Sequence, residues 1–468
     1  MLFTNQALTA ALLQALGTAA LSQDPTLVGK SATPARQAVP PENFTADPSI
    51  GSFASRGDLP FTDSPHFRVY NATGRPTMDS VKMQGALDML EAAYSCFVDT
   101  LGWRSTGLSF WDDAGDDGPW NKTNLYSQDP PEVTTVPSEG TKVVRALGVD
   151  DRAGMIWLGV IDRWISEPNV TIAVFGRGLT YQEKYLTSRA PIYAWAHTVG
   201  DWVADTYMTS PLCADSRSKY SQPTYDTTID LNTVIGRSFK PIVAGTLNSS
   251  NHNQAWPFLS FLTYNPDKFR GLGTNTVRDF LRMCFEDRMK AGKGVYVVES
   301  PLNYIARLST SATIQQVVGR YWARMAYVDI GHPTAQSVFL SQRAGLDYSN
   351  LDSQGDGVYR VKAGRQPKYM GSNIIPLKTS GAGNVTAMIA SQGSYTATLA
   401  VRDTSSGASR YVDFSRGSAW TLLGSSEEAS VVVAHTPGFI DYDPFNIGPG
   451  GGVDIGLDYN LTLTGATA

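Results

Sequence analysis

The sequence predicts an α+β protein, with helices and strands over about residues 61–348 and a β-sandwich over about 355–468. Three observations support this. Residues 190–207 form an apolar stripe at helical spacing, preceded by short β-branched runs. Helical spacing then recurs from 257 to 345. After Gly355 the pattern changes to short apolar runs separated by Gly, Ser and Asn, with no helical period.

Length and charge bound the function. The 468 residues are 42% hydrophobic and 17% charged, enough for two or three domains with a sizeable core. A formal net charge of −5 and the lack of a basic cluster argue against a nucleic-acid or anionic-membrane partner. Residues 1–22 read as a secretory signal peptide, with an apolar run at 8–21 and Ala20-Leu21-Ser22 before the cleavage point. No later run is long enough to span a membrane. Asn43, Asn71, Asn121, Asn169, Asn248, Asn384 and Asn460 all stand in N-x-S/T, so N-glycans are expected, each marking a surface position. The three cysteines allow one bridge in an oxidising compartment. Cys213–Cys284 is the favoured pairing over those with Cys96, because both follow helices near the proposed site.

In chain order, residues 23–60 are rich in Pro, Ser, Ala and Thr and read as an arm or linker. A first strand is expected at 66–70 and a helix at 79–101, capped by Asp79 or Ser80. The stretch 110–120 is an acidic loop with two tryptophans. Asp112, Asp113, Asp116 and Asp117 there are candidate calcium ligands, or simply an exposed turn. Strands are expected at 155–161 and 170–175, then the helix at 191–207 with Pro191 in its first turn. Residues 211–250 read as irregular. Helices follow at 257–264, 275–287, 302–308, 314–328 and 335–345, with Gly331 and Pro333 as a stop. Strands are expected at 358–362, 373–377, 385–390, 395–401, 409–414, 420–423, 429–434 and 457–463.

The helix at 191–207 is the candidate functional element. His197, Asp201 and Asp205 lie four residues apart, so they project from one face, opposite Trp195, Val199, Trp202 and Val203. An imidazole and two carboxylates in a row can ligate a metal such as zinc, and the same pattern also describes an ordinary polar face. The five residues from His197 match a metalloprotease H-E-x-x-H only at the first position. Thr198 stands in place of the general base, and Asp201 in place of the second imidazole.

The stretches His197-Thr-Val-Gly-Asp-Trp-Val-Ala-Asp205, Gln254-Ala-Trp-Pro-Phe258, Leu262-Thr-Tyr-Asn-Pro266 and Arg320-Tyr-Trp-Ala-Arg324 resemble an uncharacterised family of secreted, mostly fungal proteins. That family has a zincin-like domain and a C-terminal β-sandwich, and the resemblance covers about residues 60–465. It implies a zincin-like fold for 61–348 and a metallopeptidase-type ancestry with a degenerate H-E-x-x-H motif. Only His197 carries over; the metzincin third ligand would fall at Tyr207, which cannot serve.

Three functions remain open. The first is a secreted zincin-like protein with an atypical metal site at His197, Asp201 and Asp205. The second is carbohydrate chemistry or binding, with Asp201 and Asp205 as a carboxylate pair and Trp103, Trp111, Trp120, Trp195, Trp202 and Trp256 available for stacking. The third is a non-catalytic secreted binding protein. The partner would be an extracellular peptide or polysaccharide. Among the other histidines, His252 is the candidate distant partner of His197, whereas His66, His332 and His435 read as isolated.

Overall fold

The computed structural model describes residues 39–46, 59–71, 79–110, 116–128, 145–150, 153–183, 192–246, 251–291 and 300–468. The expected leader at 1–22 and most of the arm at 23–60 lie outside these residues. The described part of the arm is docked: Phe44 is 3% exposed and packs edge-on against the rings of His66 and Tyr94.

The first layer is a five-stranded mixed sheet. β1 (Phe61–Asp63) and β2 (Phe67–Tyr70) form an antiparallel pair, and β3 (Thr123–Gln128) runs parallel to β2. β4 (Arg145–Asp150) is antiparallel to β5 (Met155–Ile161), which runs parallel to β3, giving the order β1-β2-β3-β5-β4. The polar sequence of β3 hides it from a search for apolar runs. Helix α1 (Ser80–Tyr94) starts where the Asp79 carboxylate accepts the Lys82 N–H at 2.8 Å, and it buries Met83, Ala86, Leu87 and Leu90.

Residues 170–175, expected as a strand, belong instead to helix α2 (Pro168–Gln182). Val170, Ile172, Ala173, Val174 and Phe175 are all buried, so the helix is covered on every side and its apolar pattern carries no period. Pro168 opens it at the position where a missing N–H is harmless. Helix α3 (Ile192–Thr209) crosses α2 through two glycines. A Cβ on Gly200 would sit 2.5 Å from the Ala173 carbonyl oxygen, and one on Gly176 would sit 2.6 Å from Cβ of Val203. Only glycine permits this approach.

The segment after α3 is more ordered than its polar sequence suggests. It holds α4 (Ala214–Lys219) and α5 (Leu231–Val234), the latter capped by Asp230. Then come α6 (Trp256–Tyr264), α7 (Thr276–Ala291), α8 (Pro301–Leu308), α9 (Ile314–Met325) and α10 (Ala335–Gln342). Thr313 and Gln316 form a reciprocal capping box at the start of α9.

The disulfide joins Cys96 to Cys213, with Cα atoms 5.1 Å apart, which corrects the expected Cys213–Cys284 pairing. Cys96 lies in the wide turn Ser95–Thr100 that extends α1, and that turn meets Pro211–Cys213 at the end of α3. Cys284 is buried on α7 and remains a thiol. Among the described residues, no helix is long and apolar enough to cross a membrane. Of the sequon asparagines, Asn43, Asn169, Asn384 and Asn460 are exposed and Asn121 is half-buried. Asn71 is only 5% exposed, contrary to the expected surface position, and Asn248 lies outside the described residues.

The C-terminal strands are β6 (Leu351–Gly355), β7 (Val358–Val361), β8 (Ser372–Pro376), β9 (Gly383–Ala390), β10 (Tyr395–Asp403), β11 (Ser409–Asp413), β12 (Ser418–Leu423), β13 (Glu427–His435) and β14 (Asn460–Thr464). They form two antiparallel sheets, β11-β10-β13-β8 and β12-β9-β14-β7-β6. Leu399, Val401, Val431 and Val433 fill the space between the sheets. The alternate residues Ala400, Val432 and Ala434 face the other way and join the helical core, together with Val317 and Trp322 of α9. Burial on both faces explains the uninterrupted run Val431-Val432-Val433. Gly319 lets α9 approach β10, since a Cβ there would meet the Thr396 hydroxyl at 2.2 Å. After β13 the chain returns over the helices. Tyr442 donates to the Val243 carbonyl at 2.8 Å, and the Gly245 N–H donates to Pro444 O at 2.9 Å.

Candidate functional site

The buried stripe of α3 is as expected: Trp195, Val199, Trp202 and Val203 are each at most 1% exposed. His197 and Asp201 are half-buried on the other side. His197 meets His252, with ring centroids 5.3 Å apart at 74°, so the structure makes these two imidazoles neighbours. Phe445, carried by the returning segment, stands edge-on to both rings, 6.3 Å from His197 and 5.3 Å from His252. His252 is fixed by its turn: Asn251 accepts the Ala244 N–H and donates to Pro241 O, both at 2.7 Å.

Thr198 is fully buried. Its hydroxyl donates to the His252 carbonyl at 2.6 Å. The side chain next to His197 is therefore a tie between α3 and the 251–253 turn. A hydroxyl in that role offers no base to activate water.

Asp205 is not part of the His197 neighbourhood. Eight residues of helix separate them by about 12 Å along the axis at 1.5 Å per residue. Its carboxylate is 1% exposed and occupied on both oxygens. Thr227 donates to Oδ1 at 2.6 Å and His332 Nε2 lies 2.6 Å from Oδ2. His332 Nδ1 accepts backbone N–H groups from Thr334 and Ala335 at 3.2 and 3.0 Å, which places the ring proton on Nε2, facing Asp205. Of the expected set, Asp205 therefore stands apart from His197, engaged by Thr227 and His332. Among the described residues, no group of three or more His, Cys, Asp or Glu is placed to hold a metal.

Two other expectations are modified. In the acidic loop, Asp112 and Asp113 lie outside the described residues. Asp116 pairs with Arg104 at 2.8 Å, and that guanidinium also holds Gln182 and the Ser109 carbonyl. Asp116 thus serves an internal contact with Arg104. His66, expected as isolated, is clamped by Glu91: Oε2 lies 2.6 Å from Nδ1, while Oε1 accepts the His66 N–H at 2.8 Å and the Ser64 hydroxyl at 2.6 Å. The imidazole stacks on Tyr94 with centroids 3.9 Å apart. Burial alone would raise the Glu91 pKa, but the bond and charge from His66, with the Ser64 hydroxyl, carry it below its ordinary value.

A cleft of about 590 Å³ opens where α9 meets the sandwich. Phe269, Tyr395 and Phe414 supply rings, and Asp267, Arg320 and Asp413 supply charge. Arg320 donates to Asp413 at 2.7 Å and lies 3.8 Å from Asp267. Asp267 also pairs with Arg324 at 2.6 Å, and Arg324 with Asp329 at 2.8 Å. Thr398 donates to the second oxygen of Asp413 at 2.9 Å. Behind the cleft, Tyr411 donates to Asp329 at 2.8 Å, and its burial drives the phenol well above its usual pKa. The sequence indicated none of this, because each residue looks ordinary until α9, β10 and β11 are brought together. Rings beside fixed hydrogen-bonding groups suit a ligand with apolar faces and many hydroxyls. Compared with known proteins, the chain matches no family model and no curated sequence.

Proposed function

We propose that this chain is an extracellular binding protein on a zincin-like, metallopeptidase-type scaffold, without peptidase activity of its own. One observation carries the reading: Thr198, at the place of the catalytic acid beside His197, is buried and spends its hydroxyl on the His252 carbonyl. The two other acids of the helix face do not replace it. Asp205 is closed off by Thr227 and His332, and Asp201 is a turn away in the position of a ligand, not of the base. The test is incubation of the purified protein with a peptide library, with and without added zinc. No cleavage in either condition is expected. Cleavage that disappears in His197→Ala would overturn the reading.

A second reading, carbohydrate binding, is favoured by the cleft at α9. Its carboxylates are tied to guanidinium groups, which makes them fixed acceptors for hydroxyls beside three aromatic rings. On a glycan array, binding that survives chelation and is lost in Arg320→Ala supports it. Binding untouched by that change places the ligand elsewhere.

A further inference from the structure

The outer face of the sandwich carries an apolar row. Trp420 is 67% exposed, Leu422 63% and Met388 54%, on the neighbouring strands β12 and β9. Strand residues that oppose each other directly point to the same side. Leu422 opposes Asn384, Trp420 opposes Thr386 and Ser418 opposes Met388. On the other flank, Asn460 opposes Ala390 and Thr462 opposes Met388. Both sequons of this domain therefore lie on the same face as the apolar row. The middle residues of the two sequons, Val385 and Leu461, are at most 1% exposed and point inward, while Asn384 and Asn460 are exposed. In a strand, an outward N-x-T sets Asn and Thr side by side on one surface. Trp420 is the diagonal neighbour of Asn384, and Met388 that of Asn460, at a Cα separation of about 7–8 Å. That is within reach of a sugar attached to the asparagine.

We propose that Asn384 and Asn460 carry N-linked glycans whose first N-acetylglucosamine rings lie over Trp420, Leu422 and Met388 and shield this face from water. The proposal rests on the export reading. In the transfer, the asparagine amide nitrogen attacks C1 of the first sugar of a polyprenyl-pyrophosphate-linked oligosaccharide. The N–C1 bond forms, the C1–O bond to pyrophosphate breaks, the amide loses one proton, and polyprenyl pyrophosphate leaves. The apolar face of the sugar then covers the indole, as carbohydrate rings do on aromatic side chains. An exposed patch of large apolar residues otherwise promotes association.

The test is secretion of the full chain from a eukaryotic cell, followed by glycopeptide mass spectrometry and acrylamide quenching of tryptophan fluorescence. Glycan at Asn384 and Asn460 is expected. The quenching contributed by Trp420, read as the difference from Trp420→Phe, should rise in Asn384→Gln. Glycan at the exposed Asn43 and Asn169, with Asn384 and Asn460 bare, overturns the proposal while export stands. A retained chain with no glycan anywhere overturns the export reading and the proposal together. Occupied sites with unchanged Trp420 quenching in Asn384→Gln overturn the shielding.

Discussion

His332 Nε2 lies 2.6 Å from Asp205 Oδ2, and each of the two side chains is 1% exposed. This pair ties α3 to the turn after α9 across 127 residues of sequence. Removing one member leaves the other buried without its main partner. We expect Asp205→Ala and His332→Ala each to cost about 3–5 kcal/mol in urea unfolding. The double variant should cost clearly less than the two losses combined, because both remove one interaction. Simple additivity would show that the contact does not couple the two elements.

The Glu91 clamp makes a pH prediction. Its carboxyl titrates below the ordinary 4.5 in the folded protein, so the folded state binds fewer protons there than the unfolded chain. The resulting stabilisation is fully present above about pH 4.5 and is lost as pH falls through the folded value. Urea midpoints of the parent chain and Glu91→Gln should differ most near neutrality and converge in acid. A constant gap across that range would assign the effect to shape rather than charge.

The bridge between Cys96 and Cys213 closes a long loop, with the two residues 117 apart. Its removal in Cys96→Ser should cost about 2–5 kcal/mol, seen as a lower melting temperature. Peptide mapping under non-reducing conditions should recover the 96–213 cross-link from both the parent chain and Cys284→Ser. A cross-link to Cys284 would contradict the structure.

At the α2–α3 crossing, Gly200→Ala forces a methyl against the Ala173 carbonyl and the Arg177 stem. We expect a loss of about 1–3 kcal/mol in thermal or urea unfolding. Gly364→Ala is the control, since a Cβ there meets nothing within 4 Å, and it should change stability little.

The sandwich was legible because each strand follows a turn-residue cluster, and the predicted strands at 385–390, 395–401 and 429–434 fall within β9, β10 and β13. Helices with one wet face, such as α9, were legible for a similar reason. Helix α2 was not, because burial on all sides erases the period and β-branched residues then read as a strand. The site was half legible. The shared face of His197 and Asp201 follows from their spacing, and His252 stood out beside two asparagines as a candidate partner. The removal of Asp205 by His332, and the arrival of Phe445, depend on contacts made across more than a hundred residues. No local pattern reports those.

The sheet β11-β10-β13-β8 is sealed above by the second sheet and below by α9. Beside the interior of the sandwich itself, the molecule therefore has a hydrophobic layer that its two halves share. A cut at the 349–350 junction would strip the helical half of its roof and bare the underside of the strands, so both fragments should aggregate when made separately. The intact polypeptide should melt in one calorimetric step.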